Sequence, residues 1–171
     1  MNQSSPQLQY RLQPLPGGNA GVQRTLETLS GLRDRYAQAI SIRQKAEELV
    51  AGLVADNDVS GQTDRVVQFV KNKVRYMRDP LAWEYVKTPD TMLKQIRESG
   101  QTYGDCDDHV LLLNTLLNTL GIKTRFVAVA INGSRTFNHV ISSVLISHEW
   151  VDIDPCAKVS PQPFFPVRLV V

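Results

Sequence analysis

The strongest constraint on the fold is a change of period at Gly121. Upstream, Cys106, Val110, Leu113, Leu117 and Leu120 share one helical stripe, with Leu112 and Leu116 beside it. Asp105 is a good N-cap for this helix, and Gly121 suits the left-handed position just past its end. Downstream, residues 124–131 read T-R-F-V-A-V-A-I, apolar on both faces like a central strand. Residues 137–146 read as a second strand and residues 150–154 as a third, stopped by Pro155, with a turn at Asn132-Gly133-Ser134. A helix therefore leads into an antiparallel meander.

The first half of the chain is helical in pattern. From Val22 to about Ala55, apolar residues such as Leu26, Leu29, Tyr36, Ile40, Ala46, Leu49 and Leu53 recur at spacings of three and four. Gly31 is the expected place for a kink or break. A second helix is predicted from Ser60 or Thr63 on the face Val66, Val67, Phe69, Val70 and Val74, ending before Tyr76-Met77-Arg78-Asp79-Pro80. A short third helix fits residues 89–98, with Pro89 in its first turn and Met92, Leu93 and Ile96 inward. Helices first and an antiparallel sheet last make the fold class α+β. Residues 1–20, rich in Gln, Ser, Pro and Gly, read as a flexible N-terminal tail. Residues 21–156 form the domain, with its core at about 60–156. Residues 157–171, carrying Pro161, Pro163 and Pro166, form a C-terminal tail whose last residues offer an edge strand.

Composition narrows the functions. The chain has 171 residues, one domain's worth, and a net charge of +2, which gives no electrostatic footprint for nucleic acid. No apolar run reaches the roughly 18 residues of a membrane span, and no secretory pattern opens the chain, so the expected compartment is the cytosol. Two cysteines, Cys106 and Cys156, exclude a disulfide scaffold and a four-cysteine zinc site.

Three residues carry chemistry: Cys106 at a helix start, His139 at a strand start, and Asp154 or Asp152 on the next strand. A nucleophilic cysteine needs its thiolate, and a helix N-terminus with a neighbouring imidazolium lowers the ordinary thiol pKa of about 8.5. The base is a histidine oriented by a third group. If residue 139 faces residue 154 across the hairpin, the two side chains are about 5 Å apart at Cβ, and Asp152 lies one step further into the sheet. Asp154 is therefore the preferred acid. Asp105, Asp107 and Asp108 are explained by the helix cap and macrodipole, although they surround Cys106 with negative charge. His109 and His148 read as surface residues.

These residues resemble the transglutaminase-like superfamily. The blocks are Gly104-Asp105-Cys106-Asp107-Asp108, the Leu-rich helix, Leu120-Gly121-Ile122, Arg125-Phe126-Val127, His139-Val140 and Trp150-Val151-Asp152-Ile153-Asp154-Pro155, over about residues 60–156. A closer resemblance, carried by Val74-Arg75-Tyr76, Asp79-Pro80 and Thr88-Pro89, is to phage- and prophage-encoded transglutaminase-like cysteine proteases. The resemblance implies a papain-like fold with Cys106 as nucleophile, His139 as general base and Asp154 as the orienting acid. It implies attack on a peptide or isopeptide amide through a thioacyl intermediate, a protein or peptide as substrate, and no cofactor or metal. Gln101 or Tyr103 would supply the family's upstream oxyanion donor. Relatives often carry an aromatic residue after the histidine pair; here it is Ile141, which argues against transamidation.

The competing reading is a catalytically silent protein of the same fold, binding phage structural proteins during particle assembly and so virion-associated. A zinc site of Cys106, His109, His139 and Cys156 has suitable ligand types, but Cys106 and His109 fall within one helical turn. Calcium at Asp105, Asp107 and Asp108 is disfavoured because consecutive helix-start acids rarely converge. Cys156, two residues beyond Asp154, is expected near the site as a free thiol, with a bond to Cys106 as the alternative. Trp83, Glu84 and Tyr85 are candidates to flank the cleft.

Overall fold

The computed structural model describes residues 10–11, 19–53, 58–79, 85–132, 134–157 and 168–171. In chain order the elements are β1 (Tyr10–Arg11), α1 (Asn19–Tyr36), α2 (Ile40–Val50), α3 (Val59–Lys73), β2 (Val74–Tyr76), β3 (Tyr85–Val86), α4 (Pro89–Ser99), β4 (Thr102–Gly104), α5 (Cys106–Thr119), β5 (Thr124–Val129), β6 (His139–Ile146), β7 (Glu149–Ile153) and β8 (Arg168–Val170). Four strands form one antiparallel sheet in the order β7-β6-β5-β8. The mixed helix-and-sheet architecture is that expected from the change of period.

Helix α5 is the centre of the molecule. Every residue from Asp107 to Leu117 is buried, which needs neighbours on all sides. One core joins Leu112, Leu113, Leu116 and Leu117 to α2, α3 and α4 through Ile42, Val66, Val70 and Met92. A second joins Val110 and Leu111 to Leu26, Leu29 and Leu32 of α1 and to Phe126 of β5. Each fully buried Leu contributes about 1.5–3 kcal/mol relative to exposure. A buried polar link adds register: Ser142 Oγ donates to Asn114 Oδ1 at 2.5 Å, and Asn114 Nδ2 donates to the Arg125 carbonyl at 3.4 Å.

Several boundaries have visible local causes. Asp58 caps α3 by accepting from the Gly61 N–H at 2.8 Å. Thr88 caps α4, Pro89 opens it, and Gly100 closes it at φ 78°. The break in the first helical segment falls at residues 37–39, while Gly31 lies within α1. There Ala39 leaves helical geometry without a side-chain cap, and its N–H closes a turn on the Tyr36 carbonyl. Thr119 Oγ1 donates to the Ala37 carbonyl, so tertiary contacts at the end of α5 hold the corner.

Two short segments outside the predicted domain join strands. Tyr10–Arg11 pairs with β3, and Arg168–Val170 pairs with β5. Strand β2, which begins at Val74 on the face predicted for the second helix, and strand β4, in a stretch expected to be a loop, form a parallel pair that aligns Tyr76 with Gly104. Trp83, Glu84 and Gly133 lie outside the described residues.

Candidate functional site

Cys106 stands at the first position of α5. Its cap is Asp105, whose carboxylate accepts from the N–H groups of Asp107 and Asp108. Gly104 precedes it because the chain passes tightly over α5: a Cβ there would sit 2.5 Å from both Cβ and Oδ2 of Asp108. The Cys106 thiol donates to Asp107 Oδ1 at 3.6 Å. On the other side it faces the backbone N–H of Val140, the residue after His139.

His139 is the first residue of β6, and its Nε2–H donates to Asp154 Oδ2 at 2.9 Å, both side chains being buried. Asp154 Oδ1 accepts from the Cys156 N–H at 2.8 Å. The hairpin register differs from the expected one. Ser147 and His148 make a two-residue turn at φ 49° and 70°, and Ile146 faces Glu149. Primed turns of this kind match strand twist. The ladder ends at Ser142–Ile153, two residues out from the register that would set residue 139 opposite 154. A shift of two preserves the face. Asp154 therefore reaches His139 from just beyond the end of β7, whereas Asp152 lies opposite Ser143 inside the sheet.

Cys106 and His139 line one cavity of about 470 Å³. Val22, Thr25 and Leu26 of α1 form part of its apolar wall. Tyr76, Arg78, Asp79, Asp105 and Asp107 form a polar wall. Gln101 and Tyr103 do not line it among the described residues; Gln101 Nε2 donates to the Tyr103 hydroxyl at 2.7 Å, beside Arg75. Tyr76 stands in the cavity instead, a position that depends on the parallel β2–β4 pairing and is invisible to sequence patterning. Tyr85 meets the cleft region through its backbone N–H, which donates to Asp79.

The electrostatics depart from the expected thiolate. Burial pushes the Cys106 thiol pKa well up, Asp107 and Asp105 push it further, and the Val140 N–H only partly offsets them. These influences favour the protonated thiol at Cys106. For Asp154, burial opposes ionisation, but the His139 hydrogen bond and charge and the N–H groups of Cys156 and Ala157 outweigh it and hold its pKa low. Cys156 is a free thiol whose pKa is raised by burial and then by Asp154.

The other first-turn acids are more than a macrodipole complement. Asp107 is 4% exposed and Asp108 1%. Asp108 turns away from Cys106, and its Oδ1 accepts from the Lys87 N–H at 2.7 Å. Burial pushes its pKa up to about 8. The three carboxylates thus do not converge; the group that does, with one ligand atom each within 4.8 Å, is Asp105, Cys106 and Asp107. His148 is exposed as expected, but His109 is buried. Its Nδ1–H donates to the Asp105 carbonyl at 2.6 Å, and Nε2 lies 3.2 Å from the Val74 carbonyl. Both ring nitrogens thus face backbone, which removes His109 from a zinc set. Burial drives its pKa down.

A family model described as the transglutaminase-like superfamily matches residues 43–155, well over half of the chain. Among solved structures, the fold is similar to that of a "putative protease" from Parabacteroides distasonis, with TM-score 0.58 and 17% identity over 75% of this chain. It is also similar to a "putative cysteine protease" from Cytophaga hutchinsonii, with TM-score 0.52 and 16% identity over 75% of this chain. This chain spans 25% and 42% of the lengths of those two. No curated protein sequence matches it. No described helix is long and apolar enough to cross a membrane. On the match over residues 43–155, the chain belongs to the transglutaminase-like superfamily.

Proposed function

We propose that the protein is a cysteine hydrolase of peptide or isopeptide amides, with Cys106 as nucleophile, His139 as general base and Asp154 as the group that orients the imidazole. The observation that carries this reading is the His139 Nε2–Asp154 Oδ2 bond of 2.9 Å at the wall of the cavity that holds Cys106. With Nε2–H committed to the carboxylate, Nδ1 keeps the lone pair. Because the resting sulfur is a thiol, proton transfer accompanies attack. The Cys106 proton moves to His139 Nδ1 as sulfur bonds to the amide carbon. Developing negative charge on the carbonyl oxygen meets the Cys106 N–H at the start of α5 and the Tyr76 hydroxyl. His139 then passes its proton to the leaving amine and a thioester remains. Water, deprotonated by His139, releases the acid product and restores the thiol.

Water is the proposed acceptor because Ile141, where relatives often carry an aromatic, is buried with Val127 and Val129 and does not line the cleft. The test is turnover of a mixed peptide library by the protein and by Cys106→Ala and His139→Ala variants. New cleavage products from the wild type alone support the reading. Equal product patterns, with the variants folded, contradict it and favour a binding role.

A further inference from the structure

The cleft has a neighbour of opposite charge. A second cavity of about 670 Å³ opens on the other side of Tyr76, which lines both. Its floor is the turn that follows β7, including Cys156. Its walls are Gln68, Lys71 and Asn72 of α3 and Arg75 of β2. Lys71 and Arg75 are its charged residues, and no carboxylate lines it among the described residues. The cleft, by contrast, carries Asp79, Asp105 and Asp107 against Arg78. The carboxylate nearest in sequence to the second cavity, Asp154, is already bound by His139 and by the Cys156 N–H. Lys71 in the last turn of α3 also complements the helix macrodipole. That role alone does not bring Arg75, from a different element, to the same cavity. The Arg75 Nε–H donates to Gln101, which leaves both terminal guanidinium nitrogens as donors.

We propose that this second cavity is a carboxylate-binding subsite: Lys71 and Arg75, with the side-chain amides of Gln68 and Asn72, hold an acidic side chain or the terminal carboxylate of the peptide whose amide lies at Cys106. The assignment rests on the hydrolase reading and extends it by naming the substrate class, a peptide with negative charge on the Tyr76 side of the scissile bond. A planar guanidinium fork and an ammonium on adjacent elements suit a carboxylate.

Binding is measured without turnover, so that failure of the subsite and failure of the hydrolase reading are distinguishable. Succinate is titrated into the Cys106→Ala protein at low salt while the side-chain amide NMR signals of Gln68 and Asn72 are followed. Saturable shifts at these two residues are expected, weakened about tenfold or more in a Lys71→Gln/Arg75→Gln variant. Uncharged succinamide is expected to leave them unmoved. The variant's unfolding midpoint and unperturbed core signals establish that it is folded. Succinamide acting as well as succinate, shifts spread over the whole surface, or shifts unchanged in the variant would each overturn the subsite. Tighter binding of inorganic phosphate than of succinate would overturn the carboxylate assignment.

Discussion

At the scale of single residues, Asp107 bears on the protonation of Cys106. It is buried, its Oδ1 accepts from the Cys106 thiol at 3.6 Å, and after burial it is the largest influence raising the thiol pKa. Asp107→Asn is expected to shift the pH profile of Cys106 alkylation by iodoacetamide to lower pH. An unchanged profile would remove Asp107 from this role. Tyr76→Phe is expected to lower kcat by about 10²-fold with little change in KM, as for loss of one oxyanion donor. Asp108 makes a separate prediction about stability. Its folded pKa of about 8 lies above the unfolded value of about 3.9, so its contribution is full below the unfolded value and lost as pH rises through the folded one. Asp108→Asn keeps an acceptor for the Lys87 N–H and should flatten the fall in Tm between about pH 4 and pH 8, a difference of several degrees. An equal fall in both proteins would contradict this. The nearness of Asp154 to His139 was legible in the sequence because residue type, order and strand parity all constrain it. The roles of His109 and Asp108 were not, because their partners, Val74 on β2 and Lys87 after β3, lie far off in sequence.

At the scale of elements, the site depends on how closely β4 crosses the start of α5. Gly104→Ala would drive a Cβ into Asp108, and overpacking of this kind costs about 1–3 kcal/mol. Adding Asp108→Gly should recover part of that loss in denaturant unfolding. If the pair of substitutions is simply additive, the close approach is not the cause. The α5 helix and the strands of the main sheet were legible because their periods are long and clean. The β6–β7 register was not, since its turn is Ser147-His148 rather than a glycine pair, and two non-glycine residues at positive φ give no sequence signal. Nor was the β2–β4 pair, whose short parallel strands pair residues 28 apart in sequence across α4.

At the scale of the whole molecule, α1 belongs to the working unit although it precedes the family match at residues 43–155. Its Leu26, Leu29 and Leu32 complete the core against Val110, Leu111 and Phe126, Arg33 Nη1 donates to the Thr124 carbonyl at 2.8 Å, and Val22, Thr25 and Leu26 wall the cleft. Leu29→Ala is expected to cost about 2–5 kcal/mol, as core truncations do, read as a lower denaturation midpoint. A cost near zero would make α1 an appendage. The proposed thioester at Cys106 is read by intact-mass analysis of protein acid-quenched during turnover of a cleaved peptide. A hydroxylamine-labile acyl adduct on Cys106 is expected, absent in Cys106→Ala and not transferred to Cys156. Turnover that persists in Cys106→Ala, or an adduct on any other residue, would contradict it.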